Sequence, residues 1–458
     1  MKNIVILGAG ISGLTAAHWL FRDRVDFTIL EAGDKPGGSI RTEKENGFLM
    51  DFGPNSGLET SPYIREMVSQ LGLDDEMIYA SETSNKRYIL KNDELMSLPT
   101  SPGAFLKTRL FSPMAKIRVM KEPFVGKSKD GYNQSLAEFV TRRLGREFLD
   151  YAIDPFVSGV FAGDAEKLSV KSAFPKLYRL EELYGGLIKG VIKGAKERKQ
   201  AKARNEESKQ SAKMFSFRSG MGILPDTIAA QFPDRIHYNC KVSKVTREGD
   251  GYSVTYEKNG TPHTIKCDIL LSTLPAHVSA DVFADFDREL SSHFKEIYHP
   301  PVKVLFVAFK KSEIRTPLDG FGFLIPSKEK KIFLGAIWSS VIFENRCNSN
   351  LAAFTVFIGG AKNFDVFRRF GNEIESKVIE ELRHIMKISG EPVFSKSRMW
   401  DRAIPQYNLG YYLHDIYFNK IEAENPGLLF SGNFREGISI GDCFKNSKPA
   451  AEKVKKYL

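Results

Sequence analysis

"MKNIVILGAGISGLTAAHWL" fills residues 1–20, and "DFTILEAGDKPGGSIRT" follows at 26–42. The run IVIL at 4–7 is short, apolar and β-branched, which predicts a buried parallel strand. GAGISG at 8–13 follows at once, and the spacing predicts a helix over 14–21. Gly8 permits the tight turn, Gly10 lets backbone approach a pyrophosphate, and Gly13 allows close helix–strand packing, with Ala9, Ile11 and Ser12 completing the loop. Phosphates would sit at the helix N-terminus, where free N–H groups and the helix dipole favour anions. A second strand is predicted over 25–30, ended by Glu31, placed to accept hydrogen bonds from ribose hydroxyls. An acid there disfavours a 2′-phosphate and so argues against NADP. A lone GxGxxG is a weak signal. The whole strand–turn–helix–strand–Glu unit, starting at residue 4, is a strong one.

The next stretch, "EAGDKPGGSIRTEKENGFLMDFGPN" at 31–55, separates FAD from NAD. Gly37 and Gly38 bring more backbone to the pyrophosphate, and Arg41 adds a cation for it. This extension resembles the GG-x-x-R segment of the FAD-binding amine-oxidase superfamily, and the resemblance implies FAD. "FLMDFGPN" is similar to that family's next segment, where the loop reaches the flavin ring.

A chain of 458 residues is too long for one ordinary core and suggests two or three domains. Its 42% hydrophobic and 27% charged residues read as a soluble globular protein. No run of eighteen apolar residues exists, so no transmembrane helix is expected. The apolar run at 4–7 is too short for a signal-peptide core, which predicts a mature N-terminus near Met1 and a cytoplasmic protein. Cys240, Cys267, Cys347 and Cys443 are scattered and read as reduced thiols. The eight histidines show no metal-ligand spacing, so no metal is expected. Net charge is +10, and residues 189–213 hold nine Lys/Arg against three Glu. That insert lacks interleaved aromatics, so no nucleic-acid partner is expected.

Further along, a helix is predicted over 62–71 and a hairpin over 87–98, turning at Asn92-Asp93. Residues 103–124 interleave Phe, Leu and Met with Lys107, Arg109, Lys116, Arg118 and Lys121. Helical spacing continues over 133–151. Strands at 241–247, 252–257 and 261–266, joined by Gly-Asp-Gly and Asn-Gly turns, predict a β-meander. A buried strand is predicted over 268–274, and 300–360 is strand-rich. The C-terminal stretch offers a strand, a glycine-rich loop and a final helix. The chain therefore returns twice to its first domain.

"GPNS" at 53–56, "NKRYI" at 85–89, the block "IDPFVSGVFAGDAEKLSVKSAFPKLYRLEELYGGLIKG" at 153–190, "LDGFGFLIPSKE" at 318–329 and "SGNFREGISIGDC" at 431–443 together resemble the oxygen-dependent protoporphyrinogen IX oxidases, in their plant and related bacterial forms. The block at 153–190 is the most specific. The resemblance implies an α/β + α architecture: a Rossmann-type FAD-binding domain interleaved with a mixed-sheet substrate domain, plus a helical membrane-associating domain. The implied boundaries are 1–80, 214–272 and 395–458 for the FAD domain, 81–90 and 273–394 for the substrate domain, and 91–213 for the helical domain with its basic insert. Residues 103–124 would dip into lipid headgroups, placing the protein peripherally on the cytoplasmic face of the inner membrane.

The implied reaction removes six electrons from protoporphyrinogen IX in two-electron hydride steps, with O2 as acceptor and H2O2 as by-product, in heme biosynthesis. The flavin carries the hard chemistry, and the sequence shows no triad or paired carboxylates, so no catalytic residue is assigned. By resemblance Arg87 pairs with a substrate propionate, Trp338 stacks on the macrocycle where the family has Phe, and Phe323 and Leu324 line the pocket. For the cofactor the resemblance carries over Gly8, Ala9, Gly10, Ile11, Ser12, Gly13, Glu31, Arg41, Gly53, Pro54, Asn55 and Ser56. It adds Val242 through its backbone on the adenine side, and Trp400, Ile438, Ser439 and Ile440 as flavin cover. Glu436 stands where many relatives have Gly. Three readings remain open: protoporphyrinogen IX oxidation, coproporphyrinogen III oxidation to coproporphyrin III, and an inactive FAD-binding scaffold at a membrane. A homodimer and a downstream chelatase are open partnerships.

Overall fold

The structure is a computed structural model that describes residues 2–129, 131, 133–194 and 212–458. A five-stranded parallel sheet carries the N-terminus, in the order Ile236–His237, Thr28–Leu30, Ile4–Leu7, Ile269–Ser272, Leu428–Phe430. Its strands come from three distant stretches of chain, as the interleaved reading requires. The strand Ile4–Leu7 is buried on both faces, which explains its unbroken apolar run. The helix Ile11–Arg22 covers one side, and the last helix, Ile440–Lys455, lies along it, with Trp19 Nε1 donating to Ser447 Oγ at 3.0 Å. The second strand is shorter than expected, because residues 25–27 belong to the loop that follows the first helix.

The meander forms as expected, from Cys240–Glu248, Gly251–Lys258 and Thr261–Cys267. Cys240 N donates to Glu31 O at 2.8 Å, which seats the meander beside the nucleotide end of the parallel sheet.

A seven-stranded mixed sheet forms the second layer, in the order Phe394–Trp400, Val302–Lys310, Leu351–Gly359, Phe333–Ile337, Gly320–Leu324, Lys86–Lys91, Glu94–Ser97. Two implied boundaries fall inside it. The hairpin partner Glu94–Ser97 lies beyond residue 90, and Phe394–Trp400 pairs with Val302–Lys310 beyond residue 394. Alternation splits the sheet into two faces. One packs Leu305, Val307, Phe354, Val356 and Phe323 against the helix Ile374–Met386. The other packs Val304, Phe306 and Ala353 against Phe48, Met50 and Phe52, which lead from the cofactor domain.

The third layer is helical. The helix expected over 133–151 is broken: Leu136–Leu144 starts at a Ser135/Glu138 capping box and stops at Gly145, whose φ of 95° no continuing helix can hold. A short turn, Arg146–Phe148, and a π-helical turn, Leu149–Ile153, follow. Arg143 is fully buried here and joins Glu122 at 2.7 Å and Glu181, while Glu122 also accepts from Leu187 N at 2.7 Å and Ile188 N at 3.0 Å. This buried network holds 122–124 against the helix Leu187–Lys193. Of the basic insert, Lys196, Arg198, Lys199, Lys202, Arg204 and Lys209 lie outside the described residues. Among the described residues no helix is long and apolar enough to cross a membrane.

Candidate functional site: a two-glycine cradle facing a sheet-lined cleft

Gly8 adopts φ 94°, a left-handed turn that carries the chain from strand to helix. A Cβ on Gly13 would stand 2.1 Å from Gly8 O, so the helix reaches the strand only without one. Gly10 differs. Its missing Cβ would meet no atom within 4 Å, and its backbone faces open space at the N-terminus of the helix Ile11–Arg22. Gly37 pairs with Gly10 in a parallel bridge, donating its N–H to Ala9 O at 2.8 Å. Two glycine turns thus lie edge to edge. The 53–56 loop crosses above them, and a Cβ on Gly53 would stand 1.9 Å from Ser39 O.

Glu31 accepts Ala9 N–H at 2.7 Å on one carboxylate oxygen and Gly33 N–H at 2.8 Å on the other. It therefore shapes the first loop, and each oxygen keeps a lone pair for a further donor. Arg41 donates to Pro36 O at 2.8 Å and lends positive potential to Asp226, whose carboxyl burial pushes up. Val242 is buried in the core.

The cradle fits FAD on the structure's own terms. It offers an open, glycine-bare anion site on a helix N-terminus and an acid beside it. Buried Asn55 Oδ1 also lacks a hydrogen-bond partner among the described residues, although Asn55 Nδ2 donates to Asp51 O and Gly53 O at 2.8 and 3.1 Å.

Asn55 and Ser56 line a narrow cleft whose opposite wall is the mixed sheet, through Phe306, Phe321, Ile337 and Thr355. Asp51 and Arg346 form its floor, 3.2 Å apart. Arg87 lies on this same sheet face, opposite Gly322 in register, with its guanidinium carbon 5.3 Å from the Phe321 ring centroid. Among the described residues no carboxylate pairs with it. An exposed cation over an aromatic wall suits an anionic edge on a flat apolar molecule.

The structure corrects two expected substrate contacts. Phe323 and Trp338 are 2% and 1% exposed and belong to the opposite face, packed over the helix Ile374–Met386. Trp338 stacks on Tyr88 at 5.6 Å, and its Nε1 has no hydrogen-bond partner among the described residues. The tyrosine is held by Asp319 at 2.7 Å, and burial with that carboxylate pushes its phenol up to about 12. Ile337 points oppositely to its neighbour Trp338, and the register shift between Gly320 and Gly322 lets Phe321 face the cleft while Phe323 faces the core. Leu324 stays on the cleft side but packs with Ile89 and Phe111 at its rim.

The covering segments divide similarly. Trp400 Nε1 donates to Phe52 O at 2.7 Å and ties the sheet's edge to the 53–56 loop. Ser439 caps the last helix in a reciprocal box with Asp442. That helix's N-terminus abuts the segment after the loop, since a Cβ on Gly441 would stand 3.0 Å from Leu58 O. Ile440 is a correction: its side chain is buried in the core under the parallel sheet and covers nothing. Ile438 packs at the edge of the neighbouring core. Glu436 sits at φ 60°, a left-handed position where Gly is the easier residue.

Sequence reading missed Tyr407 and Tyr411. They stack at 4.2 Å and donate to Asn433 O (2.9 Å) and Phe434 O, and Tyr407 Oη also accepts Gly437 N–H at 2.9 Å. They hold the whole 433–437 loop. Their i, i+4 spacing was the available signal.

The family described as flavin containing amine oxidoreductase matches residues 11–455. The chain belongs to this family. It is 32% identical to protoporphyrinogen oxidase 2, chloroplastic/mitochondrial, of Arabidopsis thaliana, over 100% of this chain and 94% of that one. It is 28% identical to coproporphyrinogen III oxidase of Bacillus subtilis (strain 168), over 100% of this chain and 98% of that one. A solved reduced UDP-galactopyranose mutase superposes with a TM-score of 0.76 at 16% identity, over 100% of this chain and 96% of that chain. That likeness shows the fold alone. FAD is the cofactor of this oxidase.

Proposed function

We propose that this chain oxidises protoporphyrinogen IX to protoporphyrin IX in heme biosynthesis, consuming three O2 and releasing three H2O2 for the six electrons removed. The observation that carries the reading is Arg87: a cation without a carboxylate partner, set over Phe321 on the cleft-facing side of the sheet. A flat apolar macrocycle with two propionates needs an apolar plate and a fixed guanidinium at one end, and this wall supplies both.

Bound FAD supplies the hydride acceptor and is reoxidised by O2. The chain's own residues bind, orient and shield. The glycine turns and the helix N-terminus hold the pyrophosphate, and Glu31 takes a ribose hydroxyl. Phe306, Phe321 and Ile337 exclude water from one face of the substrate, with Arg87 fixing its carboxylate edge. Asp51, the carboxylate of the cleft, accepts from Thr42 and Met221 N on one oxygen and faces Arg346 with the other.

Identity to a coproporphyrinogen III oxidase favours that compound as the second reading. Four carboxylates would call for more cations than Arg87 and the paired Arg346. An inactive scaffold is disfavoured by the intact cradle. Mixing the yellow protein anaerobically with each porphyrinogen, then admitting air, tests all three. Bleaching by protoporphyrinogen IX followed by fluorescent turnover supports the proposal. Bleaching by coproporphyrinogen III alone transfers it, and no bleaching at all removes it.

Membrane attachment belongs to the same proposal. The helix Pro113–Met120 turns Met114, Ile117 and Met120 outward at three-residue spacing, and Phe124 beyond it is 89% exposed. Such a stripe suits the headgroup boundary. Not all the interleaved cations are free to meet lipid: Lys116 donates to Leu106 O and Thr108 O, and Arg118 to Arg142 O and Arg143 O. A peripheral position would bring the apolar product to a membrane-bound chelatase, and a homodimer is compatible with it.

A further inference from the structure

Away from the cleft, the helices Arg288–Glu296 and Tyr411–Glu424 pack through Phe294 and Phe418, whose rings stack at 4.7 Å. At one end of this contact, His293 and Glu296 from the first helix meet His414 from the second. One ligand-capable atom from each lies within 4.8 Å of the others. The two imidazole Nδ1 atoms are only 2.9 Å apart. Two neutral rings can bridge that gap only if one gives up its Nδ1 lone pair to a proton. A cation would satisfy both.

We propose that His293, Glu296 and His414 form a binding site for one late first-row divalent metal ion, of the zinc or nickel kind. Two imidazoles and a carboxylate form a donor set suited to these ions rather than to magnesium or calcium. Nitrogens about 2.0–2.1 Å from one ion lie about 2.9 Å apart at a right angle and about 3.3 Å apart at a tetrahedral one, so the rings need to part by at most about 0.5 Å from the separation already present. The rings are held before any ion arrives. His293 lies flat on Tyr417 at 4.4 Å, and the Tyr417 hydroxyl is tied to Asp287 at 3.1 Å. His414 meets the Tyr411 ring edge-on at 5.3 Å. His414 is buried, His293 half-buried and Glu296 exposed, so an ion can enter from solvent on the Glu296 side.

The ion would staple the two helices together one turn from Tyr411, whose hydroxyl holds the loop ahead of the last helix. The site is structural, and it opposes the metal-free expectation drawn from sequence. His293 and Glu296 stand three residues apart on one helix, which is ligand spacing, but His414 lies 121 residues away, and no linear pattern joins them.

The test uses chelator-washed, FAD-loaded full-length protein, titrated calorimetrically with zinc chloride, nickel chloride and, as control, magnesium chloride. One zinc or nickel ion should bind per chain, magnesium should not, and zinc should raise Tm. Glu296→Gln should weaken zinc binding at least about tenfold, and His293→Gln should abolish it together with the Tm rise. Glu296 is exposed, so the metal-free Tm of Glu296→Gln should match the parent; His293→Gln gives up the Tyr417 stack and should melt a few degrees lower, and retained flavin absorbance shows that both fold. Absence of stoichiometric binding overturns the proposal. So does binding that survives both substitutions, which would place the ion at the cysteines or elsewhere.

Discussion

The carboxylate of Asp51 and the guanidinium of Arg346 meet 3.2 Å apart with side chains 2% and 3% exposed, at the floor of the cleft. Asp51 ends a strand of the cofactor domain. Arg346 lies in the loop between two strands of the mixed sheet and also reaches Ser216 Oγ at 2.7 Å. Burial pushes the Asp51 carboxyl up against the pull of Arg346, Thr42 and Met221 N. Removing only the cation leaves a buried acid unpaired. Arg346→Ala should cost about 3–5 kcal/mol of stability and loosen FAD. The double change Asp51→Asn with Arg346→Met should recover much of it. Denaturant melts and retained flavin absorbance distinguish the two.

Gly10 and Gly13 share a motif but do different physical work. At Gly10 a methyl group meets no protein atom, and its φ of −71° suits any residue. Gly10→Ala should fold with the parent's apo Tm and purify colourless, because the methyl occupies the cofactor's place. Gly13→Ala should lose stability as well, since its methyl lands 2.1 Å from Gly8 O. Apo melting curves beside flavin content would expose either failure.

The cleft wall separates what the sequence revealed from what it hid. Resemblance in the NKRYI segment singled out Arg87, and the structure places it over Phe321 on the cleft-facing side of the sheet. Phe323 and Trp338 were misplaced because "GFGFLIP" and "GAIWSS" offer apolar residues to both faces, and Gly322, at φ 140° beside a register shift, sets which face each takes. No local rule yields that shift. Arg87→Ala and Phe321→Ala should therefore raise KM for porphyrinogen about 10- to 100-fold, the worth of a charged or aromatic contact, without weakening FAD. Trp338→Ala should instead cost about 3–5 kcal/mol of stability and leave KM near the parent's. A KM effect confined to Trp338 would restore the original reading.

The glycine turns, the meander, the hairpin and the capped last helix were all legible, because each rests on local backbone demands. The ion network of Arg143 and the Asp51–Arg346 pair were not, because their partners lie far apart in sequence. The outward stripe of the helix Pro113–Met120 falls between these cases: its apolar content was readable, its exposure was not. Met114→Glu with Met120→Glu should abolish cosedimentation with anionic vesicles while leaving turnover on detergent-dispersed substrate intact. Equal cosedimentation of parent and variant would remove these residues from any membrane contact.

His299 links the parallel-sheet side to the start of the strand Val302–Lys310. Its Nδ1 bonds Ile297 O at 2.9 Å, and its ring meets His277 edge-on at 4.9 Å. Burial, His277 and Arg402 push its imidazole down to about 4, while the Ile297 carbonyl pulls the other way. The sign follows from linkage. Above about pH 6.5 both folded and unfolded rings are neutral, and the group costs nothing. As pH falls from there toward 4, the unfolded ring takes a proton that the folded ring refuses, so stability drops. Below about 4 both are charged and the loss stops growing. The loss from this one group should be about 3 kcal/mol across that window. Asp415, raised to about 6 mainly by burial, works in the opposite sense, gaining stability as it protonates on the way down. The comparison that isolates His299 is therefore the difference between parent and His299→Asn in melts from pH 7.5 to 4. The gap between the two curves should narrow or invert as pH falls, because only the parent carries the imidazole. A gap constant across the range would mean that His299 takes a proton as readily in the folded chain as in the unfolded one.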